Sequence, residues 1–411
     1  MSRFAARQSR RPFAPAGVVR RHKPDYLLFV FTALLIGFGL VLLVSISGAL
    51  ASQNGQSSSF FVSKHLVAVG LGLVGFYIAS ILKPKTWRTL EMPLLILAGI
   101  ASILVRIIGE ETNGAYRWIQ VGGISFQAAE LIKFALIVWL AGFLADRQRR
   151  GTLDDWNSTY KPLLIAGAII GAVVVVLQSD LGSGMVMFAI LGAMAFVSGI
   201  PFKKVGLAVL VLGILVMLAI GSSSYRRQRV QTFLNPTSDC QGNGYQACQA
   251  LITIGSGGIK GLGLGNSVQA YGYLPEAGND SIFAIVAEKL GFLGSSFVVL
   301  LLGALFYRMM KVIDYTADSY PKLLAVGALA WLSTQSIINI GAMLGLLPLK
   351  GITLPFISYG GTSLIFVATA VGMVFGISRY TSYKAIGGQI NENTTSGGRV
   401  SRPHHAITFR R

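Results

Sequence analysis

LLFVFTALLIGFGLVLLVSIS, residues 27–47, runs for 21 positions without a charged side chain. A helix needs about 20 predominantly apolar residues to cross a hydrocarbon core of ~30 Å, so this stretch reads as a membrane span. It follows a basic segment, and Ala49-Leu50-Ala51 resembles a signal-peptidase site, but a cleaved signal has an apolar region of roughly 7–15 residues. The longer run reads as a retained first span. Comparable apolar segments recur near 65–82, 92–108, 131–145, 162–178, 183–200, 204–221, 282–307, 323–347 and 361–378, predicting ten spans and an all-α polytopic membrane protein. The fourth is short and amphipathic, as expected of a helix at the interface or one lined by other helices. No fixed-period repeat is visible, which excludes a solenoid.

Charge agrees with this reading. Only 12% of the 411 residues are charged while 53% are hydrophobic; soluble domains carry about 25% charged residues. The net charge of +19 has its densest clusters at the ends, with seven Lys/Arg in residues 1–26 and six in 379–411. Such Gly-, Ser- and Arg-rich tails beside spans orient a protein and touch anionic lipid rather than nucleic acid. With the amino terminus inside, the inner connections carry 25 basic residues and the outer ones 7, so both termini are expected in the cytoplasm. The chain then divides into a basic tail (1–26), a membrane domain (27–380) with one large extracytoplasmic loop (222–281), and a basic disordered tail (381–411). Cys240 and Cys248 both fall in that loop. A disulfide is chemically possible outside the membrane, and two free thiols are the plain alternative.

Ionisable groups at membrane depth are expensive, which makes them functional candidates. Glu130 and Lys133 share a helix face with Gln127; they either line a polar cavity or form an ion pair that fixes packing. Arg117 beside Trp118 is either an interfacial anchor or a grip for pyrophosphate. Asp180, in the turn Gln178-Ser179-Asp180-Leu181-Gly182, either caps the next helix or instead holds a cation or orients a loop. Asp280 stands where the large loop meets the eighth span, as an N-cap or as a carboxylate base at the bilayer surface; Glu288, two turns on, adds a second buried acid. Residues 347–363, with Pro348, Pro355, Ser358, Gly360 and Gly361, cannot continue a helix and must be buried in protein or line a cavity.

Several of these stretches together resemble the SEDS (shape, elongation, division, sporulation) family. They are Leu274-Pro-Glu276-Ala with Asp280 and Ile282-Phe-Ala, Ile357-Ser-Tyr-Gly-Gly-Thr-Ser-Leu364, Arg117-Trp-Ile, Phe126-Gln with Glu130 and Lys133, and Gln178 with Asp180-Leu-Gly. The likeness covers about residues 26–380. Residues 229–236, 263–267 and 350–355 look more like the cell-division branch than the elongation branch. Gly278-Asn279 and Ser281 depart from the usual neighbours of the aspartate, Ser179 from a usual proline, and Lys289 from a usual acid.

The resemblance implies a ten-helix fold related to GT-C glycosyltransferases and polymerisation of lipid II during septal wall synthesis. It implies Asp280 as catalytic base and Arg117, Glu130, Lys133, Asp180, Glu276, Ser358 and Gly360 around the substrate. Arg117, Lys133, Arg226, Arg227 or a divalent cation (Mg2+ or Mn2+) are the candidates for neutralising the leaving pyrophosphate. The implied partners are a class B penicillin-binding transpeptidase and other divisome membrane proteins, at the septal inner membrane. The rival readings are a lipid II flippase and a non-catalytic scaffold.

Overall fold

The computed structural model describes residues 23–112, 115–121, 124–178, 180–201, 203–204, 206, 231, 233–235, 239–242 and 244–381. Among them are nine helices long and apolar enough to cross a membrane. They match nine of the ten segments expected from sequence; the tenth, 204–221, lies largely outside the described residues. The same holds for most of both basic tails, for Ser179 and for Arg226 and Arg227.

In chain order the elements begin with α1 (Tyr26–Asn54), α2 (Ser58–Ile81), α3 (Pro84–Thr89) and α4 (Glu91–Ile108). Three strands follow, β1 (Glu110–Thr112), β2 (Ala115–Val121) and β3 (Ile124–Gln127), then α5 (Ala128–Arg150), α6 (Lys161–Ile170), flanked by π-helical turns, and α7 (Leu181–Ser198). The chain continues with α8 (Tyr245–Gly257), α9 (Ile282–Tyr315), α10 (Ser319–Met343) and α11 (Gly361–Ile377). Local chemistry sets several ends. The Asp25 carboxylate accepts from the Leu27 N–H to start α1, Gly151 (φ 69°) closes α5 after Arg147, Arg149 and Arg150, and the Asp180 carboxylate accepts from the Ser183 N–H (3.0 Å) to start α7. Asp180 thus caps α7 with Oδ1, while its Oδ2 is buried without a hydrogen-bond partner.

The fourth span, α5, is the axis of the bundle: 83% of its apolar window is buried, against 17% for α4. It is lined by other helices rather than interfacial, which is why its sequence tolerates Glu130 and Lys133. α2 lies tightly along α11. A Cβ on Gly372 would stand 2.4 Å from the Phe76 carbonyl oxygen, so this approach needs small residues, as helix contacts in lipid generally do. The outer faces of α1, α2 and α4 keep Leu34, Val41, Val74 and Ile103 exposed, as lipid-facing positions should be.

Two features depart from the sequence reading. The segment carrying Arg117-Trp118-Ile119 is a three-stranded antiparallel sheet rather than a loop, with Trp118 opposite Gln127 and Ile119 opposite Phe126. β-branched and aromatic residues suit a half-buried pleat, and Ile119 packs inward against Ala98, Val105 and Leu131. The second feature is a break in α9 at Gly291 (φ 63°, ψ −162°), a conformation open essentially to glycine alone. The backbone groups freed there are met by residues 258–263: Leu262 and Gly263 donate to the Glu288 and Lys289 carbonyls (both 2.9 Å), and Phe292 donates to Gly258 (2.9 Å). Just before this segment, α8 packs on α9, and Cys240 is bonded to Cys248 at its start, with a Cα–Cα distance of 5.6 Å. The bridge is the first of the two alternatives that the sequence left open.

Candidate functional site

Two irregular loops meet at the end of the bundle where α9 and α11 begin. Residues 273–281 lead into α9 and residues 344–360 into α11. The Ser358 hydroxyl stitches them together, accepting from the Leu354 N–H and donating to the Asn279 carbonyl (both 2.7 Å), and the Tyr359 N–H donates to the Gly278 carbonyl (2.7 Å). Both loops hold a non-glycine residue at positive φ, Glu276 (53°) and Phe356 (67°). Such conformations cost about 1–3 kcal/mol and persist only where surrounding structure enforces them, which points to function.

Beside these loops lies a cavity of about 450 Å³. Its walls are Lys64 and His65 from α2, Trp118 and Ser125 from the sheet, Glu276 and Asn279 from the first loop, and Thr353, Tyr359 and Gly360 from the second. Thr362 fastens the sheet to α11, accepting from the Gln127 N–H (3.2 Å) and donating to the Ser125 carbonyl (2.5 Å). Burial pushes the Tyr359 phenol above its usual range, so it faces the cavity as a neutral hydroxyl.

The residues picked from sequence fall into three groups. Glu276 and Gly360 line the cavity, and Ser358 fixes its floor. Asp280 directly follows the lining residue Asn279, is half-buried, and has its carbonyl held by the Asn339 amide (2.7 Å). It is not the cap of α9: that position belongs to Ser281, whose hydroxyl donates to the Pro275 carbonyl. Glu130 and Lys133 form the second group, a buried ion pair (2.5 Å) behind the cavity. Lys133 also donates to the Gln335 side-chain oxygen (3.0 Å), whose amide donates to the Thr353 carbonyl (3.0 Å), and Thr353 reaches the cavity. The pair is thus an ion pair inside the bundle, and its hydrogen bonds extend to the cavity wall. The third group is outside: Asp180 caps α7 and does not line the cavity, and the backbone of Arg117 lies in β2 while its side chain is outside the described part.

Sequence reasoning passed over Lys64 and His65. His65 is 1% exposed, and neither ring nitrogen has a hydrogen-bond partner. An unpaired buried polar group costs about 1–3 kcal/mol, and this one belongs to a residue of the cavity wall. The signal was available: a histidine at the head of an apolar span meets the same membrane-depth criterion that singled out Glu130. Among the described residues no three His, Cys, Asp or Glu side chains gather as a metal-binding set.

The cavity offers an aromatic face, a cation, hydroxyls, the Asn279 amide and the Glu276 carboxylate at one end of an apolar bundle, which suits the polar head of an amphiphile. Comparison with known proteins gives the family. Residues 25–383 match the family of cell cycle proteins typified by FtsW, RodA and SpoVE. The chain is 37% identical over 368 residues to stage V sporulation protein E of Bacillus subtilis, covering 89% of this chain and 99% of that protein. It is 39% identical over 369 residues to the probable peptidoglycan glycosyltransferase FtsW of Coxiella burnetii, covering 87% and 96%. Among solved structures, a chain of a peptidoglycan synthase complex that coordinates polymerization and crosslinking superposes with a TM-score of 0.72 at 27% identity, covering 87% of this chain and 98% of that one. The rod shape determining protein RodA of Thermus thermophilus superposes at 0.63 and 25%, covering 87% and 97%. With a family match spanning nearly the whole membrane domain and the same helical architecture, this chain belongs to the FtsW/RodA/SpoVE (SEDS) family of multi-pass membrane proteins.

Proposed function

We propose that this protein is a peptidoglycan glycosyltransferase of the cell-division type, polymerising lipid II with Asp280 as general base. The observation that carries the assignment is the position of Asp280: it follows Asn279 of the cavity wall, on a loop clamped by Ser358 and Tyr359 at the membrane-surface end of the bundle. The relatives named as FtsW glycosyltransferases support the reaction class.

The reaction is displacement at the anomeric carbon of the donor, a glycan strand carried on a polyprenyl diphosphate. The acceptor is a sugar hydroxyl of an incoming lipid II. Asp280 takes the hydroxyl proton as the oxygen attacks; the new glycosidic bond forms while the bond to the diphosphate breaks, and the polyprenyl diphosphate departs. A positioned base contributes roughly 10²–10⁴-fold to such a step. Lys64, on the cavity wall, and Arg117, on the neighbouring strand, are the cations offered to the diphosphate. Trp118 offers a face to a sugar ring, and His65 a donor and an acceptor. Glu130, Lys133 and Gln335 act as positioning residues through Thr353.

This reading places the protein in the inner membrane at the septum, with both termini cytoplasmic and the 222–281 loop outside. It carries a class B penicillin-binding transpeptidase as partner, alongside other divisome membrane proteins. The test is purified protein in liposomes with fluorescent lipid II and the transpeptidase present. Polymer on a gel supports the enzyme; headgroup translocation without polymer means a flippase; neither means a scaffold. An Asp280→Asn protein that folds normally yet polymerises near the wild-type rate overturns Asp280 as the base.

A further inference from the structure

At the other end of the bundle, where the described chain begins and ends, α1, α2 and α11 leave a groove of about 610 Å³. Its walls are mostly apolar, with Tyr26, Phe29, Leu73, Phe76 and Phe375, and Tyr77 and Ser80 add hydroxyls. Arg379 stands at its edge, just past the end of α11, with its guanidinium 5.7 Å from the centre of the Phe375 ring. The Arg379 Nε is buried and has no hydrogen-bond acceptor. Asp25, at the same end of the bundle, is engaged by Arg308, which donates to it from Nε (2.9 Å) and from a second nitrogen.

An apolar trough on the lipid-facing surface with an unmet guanidinium N–H at its polar end fits one kind of occupant. We infer that this groove binds an anionic phospholipid of the adjacent leaflet, its phosphate on Arg379 and an acyl chain along Phe29, Leu73 and Phe76. Arg matches phosphate with two parallel N–H···O bonds, and basic pockets between membrane helices suit acidic headgroups. Asp25 and Ser378 are joined by a backbone-to-hydroxyl bond (2.9 Å), so the described chain begins and ends beside the groove. The sequence beyond them holds six basic residues in 1–22 and five in 382–411. The apolar walls are what a soluble anion cannot use, and they separate a lipid from free phosphate. Bound there, the lipid bridges the start of α1, the end of α2 and the end of α11.

The test uses the full-length protein purified in detergent, with phosphatidylglycerol, phosphatidylcholine and inorganic phosphate as probes and native mass spectrometry as readout. The wild type should retain phosphatidylglycerol in preference to phosphatidylcholine. Arg379→Gln should hold it about tenfold more weakly, the loss of one charge-assisted contact, and Arg379→Lys should recover part of the difference. Leu73→Trp, at a half-exposed position, fills the trough and should weaken lipid retention with all charges intact. Every variant keeps the basic tails, so a change reports on the groove. Equal retention by wild type and Arg379→Gln, equal retention of the two lipids, or displacement of phosphatidylglycerol by millimolar inorganic phosphate overturns the inference; the last makes the site a simple anion site.

Discussion

Glu288 and His65 are both buried polar side chains on membrane-spanning helices, each 1% exposed, yet their surroundings are opposite. Glu288 accepts from the Ser267 hydroxyl and from the backbone N–H groups of Val268 (2.9 Å) and Gln269 (3.1 Å). Its neighbour Lys289 donates to the Leu264 carbonyl (2.6 Å). Together they tie the 264–269 stretch of the large loop to the broken helix α9. His65 has no hydrogen-bond partner for either nitrogen and belongs to the wall of a cavity. A polar group whose hydrogen bonds are all met by its own fold is serving the fold. One left short beside an open space is placed for something that arrives. By that criterion the Glu288–Lys289 region serves the fold, and the cavity beside His65 is the place open to a guest.

The largest effect should come from the buried pair between them. Lys133→Ala strands the Glu130 carboxylate in the bundle centre, and thermal unfolding in detergent should show a loss of about 3–5 kcal/mol. The double variant Glu130→Gln/Lys133→Met should recover much of it, because no charge is left unpaired. A Lys133→Ala protein as stable as wild type breaks the view of this pair as a packing element.

Asp280→Asn comes next, with lipid II polymerisation falling on the order of 10²-fold at unchanged stability. Glu288→Ala should do the converse. It leaves buried donors unmet, so stability should drop by about 1–3 kcal/mol, while the rate per folded molecule stays within a few-fold. If Glu288→Ala abolishes polymerisation in fully folded protein, the acid belongs to the chemistry and the contrast fails.

The smallest effect sharpens the comparison most. His65→Phe keeps a planar ring and removes two unsatisfied polar atoms, so stability should hold or rise while polymerisation drops about tenfold, the worth of one hydrogen bond to substrate. Reduced stability with full activity would mean that His65 serves packing alone.

Much of this was legible in the sequence because it depends on local composition. A run of about 20 apolar residues has few choices in a bilayer, so nine spans could be read directly. Ser358 and Gly360 stood out because proline- and glycine-interrupted stretches at membrane depth must line or enclose something, Asp280 because it is an ionisable group where a polar loop meets a span, and Glu276 through the family resemblance. The sheet at 110–127 was hidden because seven or fewer residues per strand between two spans give a weak period-2 pattern. The break at Gly291 was hidden because a lone glycine inside an apolar span looks like any other.

What the sequence by itself determined is a multi-pass helical protein of the SEDS family, with its ionisable candidates named, since hydropathy and motif order survive without any knowledge of contacts. Only the tertiary structure decided which candidates share a site. It put Asp180 on a cap and Glu288 on a loop anchor, joined Cys240 to Cys248, and set Lys64 and His65 of α2 across from Glu276 and Asn279, more than 200 positions away in the chain. The physical reason is that hydrogen-bond satisfaction is a property of pairs. A sequence shows that a buried donor or acceptor exists, and only packing shows whether its partner is already there.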